Sequence, residues 1–154
     1  MNMETERLYI RRYTKEDFPG FCELIRDKMA SPYAKYDHTF PTEDAALMEV
    51  LNFFAISDEF WALEEKSEHK IIGFVSLNYV DEASRNLGYC LHTHWHGKGY
   101  ASEAARRIIR YAREELGLEK LVTGTAEENL PSVRLLERLG FTRLCEGSFE
   151  LHFH

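Results

Sequence analysis

Long apolar runs are missing from this 154-residue sequence. Nothing in it approaches the ~20 consecutive apolar residues that cross a bilayer, so no membrane is expected among its partners. Met1 to Arg12 is charged where a secretory leader would be apolar, and the expected compartment is the cytoplasm. Cysteines are few: Cys22, Cys90 and Cys145 lie far apart with no CxxC pair. An odd, scattered set argues against a disulfide framework and a zinc knuckle, and suits three small buried apolar residues. An excess of positive charge is also absent. The formal charge is −7, and a nucleic-acid backbone would call for a basic footprint, so no nucleic acid is expected as partner. Internal repeats, low-complexity stretches and Pro/Gly/Ser linkers are missing too. Residues 1–154 therefore read as a single domain with one core.

What is present is a regular succession of short elements. A first strand is predicted over Arg7 to Tyr13, with Leu8 and Ile10 on one face. Thr14-x-x-Asp17 is a weaker form of the capping box and opens a helix. Phe18, Phe21, Cys22, Ile25 and Met29 give that helix a buried stripe, and Pro19 is expected to loosen its first turn. Ser31 to Pro41 reads as a loop. Thr42 can cap a second helix whose apolar face is Leu47, Val50, Leu51 and Phe54. Strands follow at Phe60 to Glu64, Ile71 to Val80 and Asn86 to Leu91. Gly97 and Gly99 stand before a long helix with Ala101, Ala104, Ala105, Ile108, Ala112 and Leu116 on one face, stopped by Gly117. A strand over Leu118 to Thr125, a helix over Pro131 to Leu139 and strands at Phe141 to Cys145 and Phe149 to His154 complete a mixed α/β (α+β) chain.

Two segments carry chemistry. His96-Gly97-Lys98-Gly99-Tyr100-Ala101 lies between a strand and a helix. A helix N-terminus has unpaired N–H groups and partial positive charge, and glycines let a phosphate approach the backbone, so this turn can cradle a pyrophosphate. Taken alone, the glycines fit a plain turn equally. A nucleotide P-loop is a poor alternative, because it needs Gly-Lys followed by Ser or Thr and Lys98 is followed by Gly99. The second segment runs from Glu128 to Phe141. Asn129 can cap its helix and Pro131 fits the first turn, which alone describes a well-capped surface helix.

Together these segments resemble the GNAT superfamily of N-acetyltransferases. His96 to Ala101 is similar to the acetyl-CoA loop pattern Gln/Arg-x-x-Gly-x-Gly/Ala, with Gly99 and Ala101 in the fixed places. Asn129-x-x-Ser132 through Leu139-Gly140-Phe141 is similar to the second signature. Thr5 to Arg11, Leu87 to Leu91 and Gly97 to Ala104 look like the branch that acetylates ribosomal proteins (RimJ/RimL-like). The resemblance spans roughly residues 4–146.

It implies a central, mostly antiparallel sheet with four flanking helices, splayed between the fourth and fifth of the strands read above, 86–91 and 118–125. The cosubstrate would be acetyl-CoA, with no metal. The resemblance places its pantetheine arm against strand backbone around Leu91 and Thr93, and its pyrophosphate on the turn His96, Gly97, Lys98, Gly99, Tyr100, Ala101 and Ser102. Asn129 would meet the arm from the far side, and Ser132 would stand near the thioester sulfur as the catalytic group. A backbone N–H of Tyr89 to Leu91 would hold the developing oxyanion.

The sequence departs from the wider family in three ways. Many members carry a tyrosine acid four residues before the glycine of Leu-Gly-Phe, where this chain has Leu136. A carboxylate common before the Gly-Tyr of the 86–91 strand is Asn86 here. The base is left open among Glu146, Glu150, His94 and a water chain. Related chains also run on past the point where this one stops, so the last hairpin is either short, turning at Gly147, or cut.

His92, His94 and His96 alternate, and histidine triplets can bind zinc. No carboxylate or cysteine stands at matching spacing, so they read as polar surface. So does the Arg106, Arg107, Arg110 and Arg113 face. The expected activity is acetyl transfer to a primary amine, on a protein N-terminus or a small molecule, by a monomer or homodimer. The alternative is an acetyl-CoA-binding sensor or assembly module without catalysis. Tyr33, Tyr36, Asp37 and His38 are expected near the acceptor.

Overall fold

The computed structural model describes residues 2–36 and 39–153. Its strands are β1 (Met3–Glu4), β2 (Leu8–Arg11), β3 (Phe60–Glu65), β4 (Lys70–Asp81), β5 (Ser84–Leu91), β6 (Lys120–Gly124), β7 (Thr142–Cys145) and β8 (Ser148–His152). The helices are α1 (Phe18–Ala30), α2 (Asp44–Ile56), α3 (Tyr100–Glu114) and α4 (Leu130–Arg138), and short 3₁₀ turns cover Lys15–Asp17, Ala34–Tyr36 and Thr93–Trp95. All eight strands join one sheet in the order β1-β2-β3-β4-β5-β6-β8-β7.

Every pairing is antiparallel except β5 with β6. That parallel pairing is also brief: Ser84, Arg85 and Asn86 face Lys120, Leu121 and Val122. Thr123 Oγ1 still donates to the Leu87 carbonyl at 2.9 Å. Beyond it β6 continues to pair with β8 as far as Gly124, while β5 runs on to Leu91 beside β4 alone. The splay implied between these two strands is therefore real, and it begins at Leu87.

The two faces of the sheet bury separate cores. One packs Leu87, Leu91 and their sheet neighbours against Tyr100, Ala104, Ala105 and Ile108 of α3 and Leu135 and Leu136 of α4. The other packs Phe74 and Cys90 against Phe21, Leu24 and Ile25 of α1 and Leu47, Leu51 and Phe54 of α2. Alternation along β5 assigns odd positions to the first face and even positions to the second. Gly88 is small because a Cβ there would stand 2.5 Å from Ser76 Oγ on β4.

The structure departs from several local expectations. β1 is only two residues long, too short for alternation to reveal it. Pro19 occupies the start of α1, where its missing N–H is not needed, so it fits the first turn instead of loosening it. α2 starts at Asp44 behind Glu43. Thr42 is not its cap; its carbonyl accepts two hydrogen bonds from Arg26 (3.0 and 2.8 Å). Thr14 N–H does donate to Asp17 Oδ2 at 2.9 Å. The same carboxylate is gripped by Arg11 at 2.9 and 2.8 Å, which ties the start of α1 to β2. The last hairpin is short and turns through Gly147, whose φ is +77°.

Candidate functional site

The glycine turn is built for close approach from outside. Gly97 and Gly99 have φ of +73° and +85°, the left-handed region. A Cβ on Gly97 would meet nothing within 4 Å. Helix geometry leaves the N–H groups of Tyr100, Ala101 and Ser102 without intrahelical acceptors, since Glu103 N–H closes the first turn on the Gly99 carbonyl.

A clasp that the sequence did not reveal holds this turn. Arg7 on the way into β2 donates from Nη1 to the Lys98 carbonyl (2.9 Å) and from Nε to Glu103 Oε1 (2.7 Å). Arg7 N–H and Thr5 Oγ1 donate to Glu103 Oε2. The guanidinium lies 4.0 Å from the centre of the Tyr100 ring. Burial pushes the Glu103 carboxyl up, but hydrogen bonds from Thr5 and Arg7 outweigh it and hold the group below the ordinary carboxylate range. Tyr100 in turn donates to Glu65 at 3.3 Å. In the sequence Arg7 belongs only to a strand pattern, and 96 residues separate it from Glu103.

Between the parted strands lies a groove of about 1230 Å³. Leu87 to Leu91 form one wall, and Thr123 to Thr125 with Asn129 and Ser132 form the other; Gly97, Gly99, Tyr100 and Ala101 line one end. Backbone groups of β5 that β6 would otherwise pair face this space and can receive an extended ligand. His96 lines the groove and sets its Nε2 3.0 Å from the Leu91 carbonyl.

Thr93 differs from expectation. Its N–H and Oγ1 donate to Asp27 (2.8 and 2.7 Å), and its carbonyl accepts from His96 N–H. With those groups committed, the strand backbone left facing the groove is that of β5 itself. Lys98 contributes its carbonyl to Arg7, while its ammonium lies 5.2 Å from the Trp95 ring centre. Ser102 sits in the first turn of α3.

On the far wall, Asn129 precedes α4, and its carbonyl accepts from the N–H groups of Ser132 and Val133. Its side chain makes no capping bond, contrary to the expected side-chain cap, and it lines the groove. Ser132 also lines the groove, with Oγ 2.5 Å from Tyr89 OH. Leu136 is fully buried in the core, so α4 offers no phenol at that position.

The three side chains considered as base lie elsewhere. Glu150 binds Lys120 (3.0 Å) and His152 (2.8 Å) on β8, and these partners hold its carboxyl below the usual range. Glu146 is exposed in the last hairpin, and His94 sets its ring against Trp95. None of the three lines the groove. Asn86 does line it, beside Ser76 and Asn78, and Asn78 donates to Glu59 behind it at 3.1 Å.

Tyr33, Tyr36 and Phe40, with Phe54, Phe60 and Phe74, also line the groove. Asp37 and His38 lie outside the described residues. His92, His94 and His96 belong to a 3₁₀ turn and its flanks, with His92 3.5 Å from Asp27. Among the described residues no group of three or more His, Cys, Asp or Glu is placed to hold a metal ion. Arg106, Arg110 and Arg113 are exposed on α3. Among the described residues no helix is long and apolar enough to cross a membrane.

The chain is similar to known proteins in sequence and in fold. The chain is 29% identical over 150 residues to the uncharacterized N-acetyltransferase YnaD of Bacillus subtilis, covering 97% of this chain and 86% of that one. It is 33% identical over 140 residues to the SPbeta prophage-derived uncharacterized N-acetyltransferase YokL of the same organism, covering 90% and 77%. Over 73 residues it is 36% identical to the putative ribosomal N-acetyltransferase YdaF, covering 46% and 40%. An acetyltransferase structure from Agrobacterium tumefaciens superposes with a TM-score of 0.72 at 27% identity, covering 100% and 94%. A GNAT-family acetyltransferase structure from Bacillus anthracis superposes at 0.84 with 24% identity, covering 97% and 95%, which speaks for the fold. The family described as Acetyltransferase (GNAT) domain matches residues 7–142, and the chain belongs to that family of N-acetyltransferases.

Proposed function

We propose that residues 1–154 form one acetyl-CoA-dependent N-acetyltransferase unit, acting in the cytoplasm on a primary amine. The observation that carries this reading is the parting of β5 from β6 directly beside the left-handed glycine turn. One groove thereby offers unpaired strand backbone for two amides and a helix N-terminus for two phosphates. Open space over Gly97 and the uncommitted side chain of Asn129 fit such a ligand.

When bound, acetyl-CoA supplies a thioester. The chain's own groups then have separate tasks. N–H groups from Gly97 to Ser102 hold the pyrophosphate. A strand N–H between Tyr89 and Leu91 stabilises charge growing on the carbonyl oxygen. Ser132 meets the sulfur as charge leaves with it. Water in the open groove carries away the amine's proton. The acceptor is a protein N-terminus or a small amine. The RimJ/RimL-like pattern of 5–11 and 87–104 and the similarity to YdaF over 73 residues favour the former.

The test joins binding to turnover. Acetyl-CoA is expected to raise the melting temperature of the purified protein, since it binds only the folded state. A thiol-release assay with peptide N-termini and small amines is expected to show acceptor-dependent CoA formation. Binding without release for any amine would leave a sensor, and no binding would remove the reading altogether.

A further inference from the structure

We propose that Tyr89 is the proton source behind Ser132, so that this enzyme takes its phenol from the sheet and not from α4. The inference rests on the acetyltransferase reading above. Alternation along β5 turns Tyr89 to the same face as Leu87 and Leu91, toward α3 and α4. Ser132 stands in the first turn of α4. The two hydroxyls meet across the groove at 2.5 Å, and both residues line it. In α4 the side chain one turn on, Leu136, is committed to the core.

Chemistry decides which hydroxyl is the acid. A departing thiolate has a conjugate acid of pKa about 8.5, and a phenol lies near 10. Proton transfer between them is nearly balanced. An aliphatic hydroxyl is a far weaker acid and cannot end the reaction ionised. Placed between the two, it passes a proton along and stays neutral.

The amine nitrogen bonds to the carbonyl carbon, and the carbon–sulfur bond breaks with its electron pair on sulfur. Sulfur takes the Ser132 proton, and Ser132 takes the Tyr89 proton. The phenolate is reprotonated by the groove water that received the amine's proton. No oxidant or further reactant is needed. The N-terminus of α4 adds partial positive charge beside the growing anion.

An acceptor-free measurement tests this. CoA and desulfo-CoA differ only at sulfur, so their affinity ratio, read by calorimetry, isolates the groups facing it. At a pH where the CoA thiol is ionised, wild type is expected to prefer CoA by about tenfold, the worth of one charge-assisted hydrogen bond. Tyr89→Phe is expected to bring the ratio to about twofold or less while binding desulfo-CoA as before. The wild-type ratio is also expected to rise with pH as the CoA thiol, of ordinary pKa about 8.5, ionises, and this rise should be smaller in the variant. Should Tyr89→Phe not fold, Ser132→Ala, which removes the hydroxyl between phenol and sulfur, is expected to lower the ratio in the same way. Where an acceptor is in hand, Tyr89→Phe is expected to lower kcat with the KM for acetyl-CoA kept, and Tyr89→Phe with Ser132→Ala should be no slower than the slower single variant. An unchanged ratio and pH profile in Tyr89→Phe would overturn the proposal and leave the acetyltransferase reading standing. Failure of wild type to bind either nucleotide would overturn both.

Discussion

At Gly99 two constraints coincide. Its φ of +85° is a conformation that costs a residue with a Cβ about 1–2 kcal/mol and a β-branched one more. Its ideal Cβ would also stand 3.3 Å from Arg7 Nη2. Gly99→Val is therefore expected to lower the melting temperature by several degrees and to abolish the acetyl-CoA-induced rise. A folded variant that still binds acetyl-CoA with wild-type affinity would remove the phosphate role from this turn. Ser132 offers the opposite profile. The residue before α4 is Asn129, so Ser132 is no cap, and Ser132→Ala should change stability by less than about 1 kcal/mol. In the proposed reaction its hydroxyl acts where charge appears only as the bond breaks. The variant should therefore lose about tenfold to a thousandfold in kcat with acetyl-CoA affinity nearly kept. Steady-state kinetics and melting on one preparation check it. An unchanged kcat would end the catalytic role.

Elements show which parts of this molecule local sequence can specify. The buried stripe of α3 and the alternation of β2 to β5 follow from side-chain period, and the strands and helices lie within a few residues of where that period predicts them. Caps were less legible. Thr42 has the right side chain for a helix start, yet its carbonyl serves Arg26 and the helix begins behind Glu43. The glycine turn was readable because left-handed backbone favours glycine. The clasp that fixes it was not, because Arg7 and Glu103 meet only when β2 and α3 pack together. Tyr89 and Ser132, 43 residues apart, were hidden for the same reason. The splay itself came from family resemblance, since no spacing in 84–125 states how far two strands will pair. The clasp makes an element-scale prediction. Glu103→Gln keeps the shape but removes the charge that gathers Thr5, Arg7 and the turn. It is expected to cost about 1–2 kcal/mol, a fall of roughly 2–8 °C in melting temperature, and to weaken acetyl-CoA binding severalfold. Unchanged affinity in calorimetry would show that the turn holds its shape without the clasp.

Across the whole molecule, carboxylates join the first sheet edge to the helices. Arg11 binds Asp17 and Glu64. Glu65, buried beneath Tyr100, accepts from Ser67 and from the Glu68 N–H. For Glu64, Glu65 and Glu103, burial pushes the pKa up, but hydrogen bonds outweigh it and each ends below its ordinary value. The unfolded chain takes up protons at these groups near pH 4.3, whereas the folded chain resists until lower pH. Their stabilisation is fully present above that unfolded value and drains away as pH falls through the folded ones. Melting temperature is therefore expected to hold nearly level from pH 7 to about 5 and to drop steeply between about 5 and 3. Glu103→Gln removes one of these groups, so the drop should be shallower from its lower starting point. Because Glu103 also steadies the glycine turn, acetyl-CoA affinity in wild type should weaken within the same acidic window, before the fold is lost. Melting curves and calorimetry over that range, on wild type and Glu103→Gln, decide it. Equal slopes in the two proteins would place the acid sensitivity in other carboxylates and separate the clasp from the pH response.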